Sequence, residues 1–206
     1  MDLSGGLSQL CEKCGEGDEK RARILEGALG VFLAYGFSRT TMDDIAKASQ
    51  VSRPALYLLY KNKAEIYRAL IGCIFLQIAE TTRSVLAGPG SLGQRLELLV
   101  QRTMVGTMKS IGASQHGEEL TDMKSALGAD LLAGWRAEMD EILADAFSKE
   151  AKAKGIDLQA RGFTALELAQ ALMDGLDGRK VRLGLEGCTV EAVTPIVRVI
   201  VAALRP

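Results

Sequence analysis

Two helix-start signals follow each other so closely in this chain that they dictate a local arrangement. Thr41, with Asp44 three residues later, reads as an N-cap with a variant capping box, Asp standing where Glu is usual. Ser52 is the next N-cap, and Pro54 falls in the first turn after it, where a missing N–H costs nothing. Between the two signals fits only a short helix, Met42 to about Ala48, which carries Ile45 and Ala46 inward. A helix that short does not persist alone, so it must pack at once against its neighbours. Ser49-Gln50-Val51 makes the tight turn, and a second short helix runs from Arg53 to about Tyr60 with Leu56 and Tyr60 on one face. Two short helices joined by such a turn form a helix-turn-helix.

The flanks are helical as well. From Lys20 to Tyr35 the apolar residues Ile24, Leu25, Ala28, Val31, Phe32 and Tyr35 recur at helical spacing, and Gly36 stands where a left-handed cap stops a helix. Gly27 and Gly30 inside that helix each weaken it by about 1 kcal/mol relative to Ala, so packing must hold it. A long helix from Lys63 to about Leu86 is broken by Gly88-Pro89-Gly90, which reads as a hinge. Beyond it the spacing predicts helices over Leu92–Ile111, Glu118–Leu127, Ala129–Ala153, Thr164–Leu185 and Val190–Leu204. No segment alternates apolar and polar residues with β-branched enrichment, so strands are not expected. The expected class is all-α: an N-terminal three-helix helix-turn-helix domain followed by a larger C-terminal helical domain.

Composition narrows the chemistry. Of 206 residues, 48% are hydrophobic and 25% charged, the balance of a globular chain. One histidine, His116, supplies no multi-histidine metal site and no triad. Four cysteines are too few and too scattered for a disulfide framework, and Cys11-x-x-Cys14 reads as two spare thiols in a flexible tail over 1–18. No cofactor and no metal are expected. The first residues lack a basic stretch followed by an apolar block, and the apolar run Ala69–Ile78 is too short to span a bilayer, so the expected address is cytoplasmic and off the membrane. Between Glu19 and Arg68 nine basic residues face five acidic ones, a local balance of +4 in a chain of net charge -1. A basic front on an acidic body points to a polyanion met by the N-terminal part.

A leading helix ending Tyr35-Gly36-Phe37, then Thr40-Thr41-x-x-x-Ile45-Ala46, Val51-Ser52-Arg53-Pro54-Ala55-Leu56-Tyr57 and Lys61-Asn62-Lys63-x-x-Ile66 together resemble the DNA-binding domain of the TetR family of transcriptional regulators. The resemblance covers about Ala22 to Leu70. It implies that Arg53, Pro54, Ala55, Tyr57 and Leu58 face DNA from a recognition helix capped by Ser52. An α-helix fits the major groove, and Arg53 carries the planar fork that holds guanine O6 and N7. Pro54 and Ala55 offer apolar contact to a thymine methyl. Tyr57, Lys63 and Thr41 are expected to donate to phosphates. Two positions depart from the family's pattern: Leu59 stands where an aromatic or histidine is common, and Gln50 where glycine is usual in the turn.

The expected domains are the tail over 1–18, the DNA-binding domain over 19–66, and an effector-binding and dimerisation domain over 67–206. Pockets between helices are mostly apolar with a few polar groups. On that ground Met104, Met108, Met123, Trp135, Met139, Phe163 and Met173 are candidate walls, with Arg102 and His116 as polar anchors. The final helix is apolar over more than one stripe, so it should meet more than its own domain. The resemblance implies a two-fold dimer built on the last helix pair, with Leu172, Leu176, Val193, Ile196, Val197 and Ile200 at the interface. The function expected is a ligand-responsive repressor that binds a palindromic double-stranded operator as a homodimer and is released by a small-molecule effector. An activator or ligand-independent regulator of the same fold is the alternative. A helical enzyme is disfavoured because no nucleophile elbow, phosphate-binding glycine loop or histidine cluster is present.

Overall fold

The computed structural model describes residues 19–105, 114–184, 187 and 189–206, apart from the side chains of 123–125. Its helices are α1 (Glu19–Tyr35), α2 (Met42–Ala48), α3 (Arg53–Leu59), α4 (Lys63–Leu86), α5 (Leu92–Val100), α6 (Gly117–Leu127), α7 (Ala129–Ala153), α8 (Ala165–Leu183) and α9 (Val190–Ala203). Among the described residues there is no strand, and the chain is all-α.

Local chemistry sets most of the ends. Gly36 turns left-handed at φ 82° and donates its N–H to the Phe32 carbonyl at 2.9 Å, closing α1. Ser91 with Gln94 and Thr164 with Glu167 form complete capping boxes, and Thr189 caps α9. Two expected boundaries move. α5 ends at Val100 and continues as a wider π turn, Gln101–Val105, rather than as α-helix to Ile111; residues 106–113 lie outside the described part. α8 stops at Leu183, where Gly184 takes a φ of 69°.

The chain divides into two compact units, residues up to 77 with 114–133, and 78–105 with 134–206. This grouping draws its line beyond residue 66 and returns the segment around α6 to the N-terminal helices.

The first unit closes around an aromatic group. Phe32 lies 5.4 Å from Phe37 and 6.0 Å from Tyr67, ring centre to ring centre, and Phe37 lies 5.5 Å from Tyr67. Ile24, Ile45, Leu56 and Ile66, one from each of α1 to α4, are fully buried with them. Gly27 explains itself here: a Cβ would stand 2.9 Å from the Ser49 backbone nitrogen and 3.1 Å from the Ala48 carbonyl carbon. Glycine lets the end of α2 approach α1. Gly30, by contrast, faces open space. α4 is long and apolar enough to cross a membrane by length and mean hydropathy alone, contrary to the expectation drawn from its apolar run. It is nonetheless a core helix, burying Ile66, Tyr67, Leu70, Ile71, Cys73, Phe75 and Ala79.

The second unit packs α5 against α9 and α8 against α9. Its buried side chains include Leu92, Leu96, Met139, Leu143, Phe147, Leu168, Leu172, Val193, Val197 and Ile200. Arg95 pairs with Glu150 at 3.0 Å with both side chains largely covered, and Arg136 of α7 bridges Asp174 and Asp177 of α8. The interface expectation needs correcting on this point. Leu172, Val193, Val197 and Ile200 are already buried within one chain, so they cannot also cover a second copy. Leu176 and Ile196 remain half-buried, while Val181 and Val199 project into solvent.

Candidate nucleic-acid interface

The cap chemistry of α2 and α3 decides which groups remain outward. Thr41 Oγ1 accepts the Asp44 N–H at 3.2 Å and donates to Asp44 Oδ2 at 2.6 Å, which also accepts the Thr41 N–H at 2.9 Å. Those bonds hold the Asp44 carboxyl below its usual range. Ser52 Oγ accepts the Ala55 N–H at 3.3 Å and starts α3. The turn between them is a Schellman closure, with Gln50 N–H on the Lys47 carbonyl and Val51 N–H on the Ala46 carbonyl at 3.1 and 3.0 Å. Gln50 occupies the left-handed position at φ 53°, where glycine would carry no steric cost.

With Leu56 fully buried, α3 turns its opposite side to solvent. Tyr57 is 43% and Leu58 85% exposed, and Ser52, Arg53 and Pro54 are exposed with them, Ala55 half-buried at the edge. Leu58, in the last turn of this seven-residue helix, projects into solvent next to Tyr57 in the chain. Arg53 leans over the Tyr57 ring, 5.7 Å from guanidinium carbon to centroid, and one of its nitrogens lies 3.9 Å from Asp43 of α2. Arg39, Lys47 and Lys61 are exposed in the same unit, so the surface around α2 and α3 is cationic.

Two expected phosphate donors are already engaged. The Thr41 hydroxyl proton goes to Asp44. Lys63 donates its ammonium protons to the carbonyls of Phe37, Ser38 and Thr40 at 2.8, 3.0 and 2.9 Å, and lies 4.8 Å above the Phe37 ring. Lys63 is therefore better described as the residue that ties the loop between α1 and α2 to the start of α4. Leu59, half-buried, presents no donor.

Sequence reasoning missed a third tie on this loop. Glu119 of α6 accepts the Ser38 N–H at 2.8 Å, and its other oxygen lies 3.8 Å from His116 Nδ1. The Ser38 bonds, with His116 and Lys63 nearby, hold the Glu119 carboxyl below its usual range. Its side chain occupies the space a Cβ on Gly36 would need, and Ser114 Oγ donates to the Leu33 carbonyl at 2.7 Å. These partners stand 81 residues apart in the chain, a separation that no local pattern announces.

The effector candidates do not converge on one cavity. His116 lies in the first unit, where it lines a cavity of about 470 Å³ with Ala34, Tyr35, Arg39, Asp44 and Gln115. A cavity of about 630 Å³ in the second unit is lined by Gly175, Gly178, Arg179, Val181, Arg182 and Ile196, none of them among the candidates for ligand contact. Met139 and Met173 are core side chains, Met139 accepting a contact from the Thr82 hydroxyl at 3.7 Å. Phe163 and Arg102 are exposed, and Met104 and Trp135 are half-buried. Met108 and the Met123 side chain, like Cys11 and Cys14, lie outside the described residues.

Residues 24–70 match the family described as bacterial regulatory proteins, tetR family. Over 56 residues the chain is 45% identical to the HTH-type transcriptional regulator TtgR of Pseudomonas putida, 27% of each chain. It thus spans about a quarter of the length of the curated relatives it matches. Among solved structures it is similar to the fatty acid degradation regulator FadR of Bacillus halodurans, with a TM-score of 0.64 at 21% identity over 88% of this chain and 94% of that one. SmeT, the repressor of the Stenotrophomonas maltophilia multidrug efflux pump SmeDEF, gives 0.65 at 16% identity over 89% of both chains. SmeT in complex with triclosan gives 0.63, again at 16% identity, over 89% of this chain and 90% of that one. At these identities the structural likeness speaks to the fold.

Proposed function

We propose, from the match of residues 24–70 to the tetR family of bacterial regulatory proteins, that the chain is a TetR-family transcriptional repressor released from its operator by a small molecule. The reading has it bind a palindromic DNA site as a homodimer. The observation that carries it is the outward face of α3: Arg53, Tyr57 and Leu58 lie exposed while Leu56, between them in the same helix, is fully buried. Such a helix enters the major groove with its N-terminal side chains at base edges. Arg53 supplies the fork for guanine, and Leu58 and Pro54 the apolar contact for a thymine methyl. Tyr57 and the exposed Arg39, Lys47 and Lys61 meet phosphates, which adds affinity without sequence information. Binding of this kind places the protein in the cytoplasm with the DNA.

The sense of regulation and the effector rest on likeness. SmeT is named as a repressor and is solved with triclosan bound, which supports repression and an apolar effector here. An effector releases DNA when it binds better to a form whose two recognition helices no longer match the half-site spacing. α4 and α7 each run from one compact unit into the other, and α4, which follows α3 directly in the chain, is the natural carrier of that change. The family regulates rather than catalyses, and no enzymatic step is assigned.

A gel shift at stated salt tests the reading with the intact chain and DNA flanking its own gene. A retarded band that excess unlabelled flanking DNA removes, and equal scrambled DNA does not, is the expected result. Equal competition by both duplexes would overturn operator recognition.

A further inference from the structure

Asp43 is an acid on a face otherwise suited to phosphates, and the fold does not require it. The start of α2 is already served by the reciprocal Thr41–Asp44 bonds. The Asp43 carboxylate, half exposed, reaches 3.2 Å to Lys47 on its own helix and 3.9 Å to Arg53 at the head of α3. Exposed pairs of this kind add little to stability. Arg53 is consequently bracketed by a carboxylate from one helix and the Tyr57 ring from its own.

We propose that Asp43 is a specificity-determining residue that positions Arg53 for guanine and against phosphate. The inference rests on the reading of α3 as the groove-entering helix. Guanine O6 and N7 are neutral acceptors, and they can take the free edge of the Arg53 fork while the Asp43 carboxylate stays 3.9 Å from the other nitrogen. A phosphate in the same place would bring a second anion against the Asp43 carboxylate, well inside the Debye length, and that repulsion opposes the contact. Asp43 therefore lowers the affinity for arbitrary DNA more than for the cognate site.

The test selects bound duplexes from a random pool with the intact chain, its Asp43→Asn, Asp43→Glu and Arg53→Ala variants, and the Asp43→Asn/Arg53→Ala double variant, followed by sequencing. Thermal melting confirms that each chain folds. Wild type should enrich a G·C pair at one position of each half-site. Asp43→Asn should keep the other preferences, lose that one, and bind the unselected pool about threefold to tenfold tighter with a salt slope steeper by about one. Asp43→Glu should recover part of the lost preference. In the Arg53→Ala background the same substitution should cost no further preference. Retention of the wild-type preference by Asp43→Asn would overturn the assignment, as would a further loss of preference in the Arg53→Ala background. A wild-type chain that enriches no sequence would overturn the operator reading, and this inference with it.

Discussion

At the scale of single residues, Lys63 shows how a charge beside a DNA-binding helix can belong to the fold. Its three carbonyl partners lie 23 to 26 residues back in the chain, and the ammonium sits over the Phe37 ring. Removing it leaves partly buried carbonyls without a donor, at a cost of about 1–3 kcal/mol. Lys63→Ala should therefore melt several degrees lower while the salt slope of DNA binding stays as in wild type. An unchanged melting temperature with a slope reduced by about one would return Lys63 to the phosphates. The residue types around the reading surface were legible because cap and turn chemistry is local: Thr41, Ser52 and Pro54 stand where their spacing puts them. The destinations of Lys63, Asp43 and Glu119 were not, since each is set by a group outside its own helix: loop carbonyls for Lys63, the Ser38 N–H for Glu119 and the Arg53 side chain for Asp43.

At the scale of elements, α1 holds two glycines with opposite roles. Helix propensity treats Gly27 and Gly30 alike, each less favourable than Ala by about 1 kcal/mol. Packing separates them. Gly30→Ala adds a methyl in open space and should stabilise the chain by about 0.5–1 kcal/mol. Gly27→Ala drives a methyl into the Ser49 backbone and should destabilise it by about 1–3 kcal/mol as α1 and α2 part. Denaturant titration of the two variants checks the pair, and a shift of the same sign in both would contradict the close approach. Helix ends followed the same division between local and distant causes. α2, α3, α7 and α9 begin and end within a residue of their expected bounds because caps and glycines mark them. The conversion of α5 to a π turn at Gln101 carries no glycine or proline to mark it, and periodicity read straight through it.

At the scale of the whole molecule, the double apolar character of α9 was legible but the division of its labour was not. One stripe, Val193, Val197 and Ile200, closes the second unit, which leaves Ile196 and Val199, with Val181 of α8, as the apolar face open to the proposed dimer. Periodicity cannot tell which of two apolar stripes faces home; burial can. Ile196→Glu and Val199→Glu should yield a folded monomer by light scattering, with weakened DNA binding, whereas Ile200→Glu should lose cooperative melting. A Val199→Glu, Ile196→Glu double variant that stays dimeric would contradict this face. The central claim, that the intact protein reads a base through the head of α3, is tested most directly by titrating wild type and Arg53→Ala against a selected and a scrambled duplex at several salt concentrations. The account predicts that Arg53→Ala loses about 1–3 kcal/mol on the selected duplex and far less on the scrambled one. Equal losses on both duplexes at every salt concentration would contradict it.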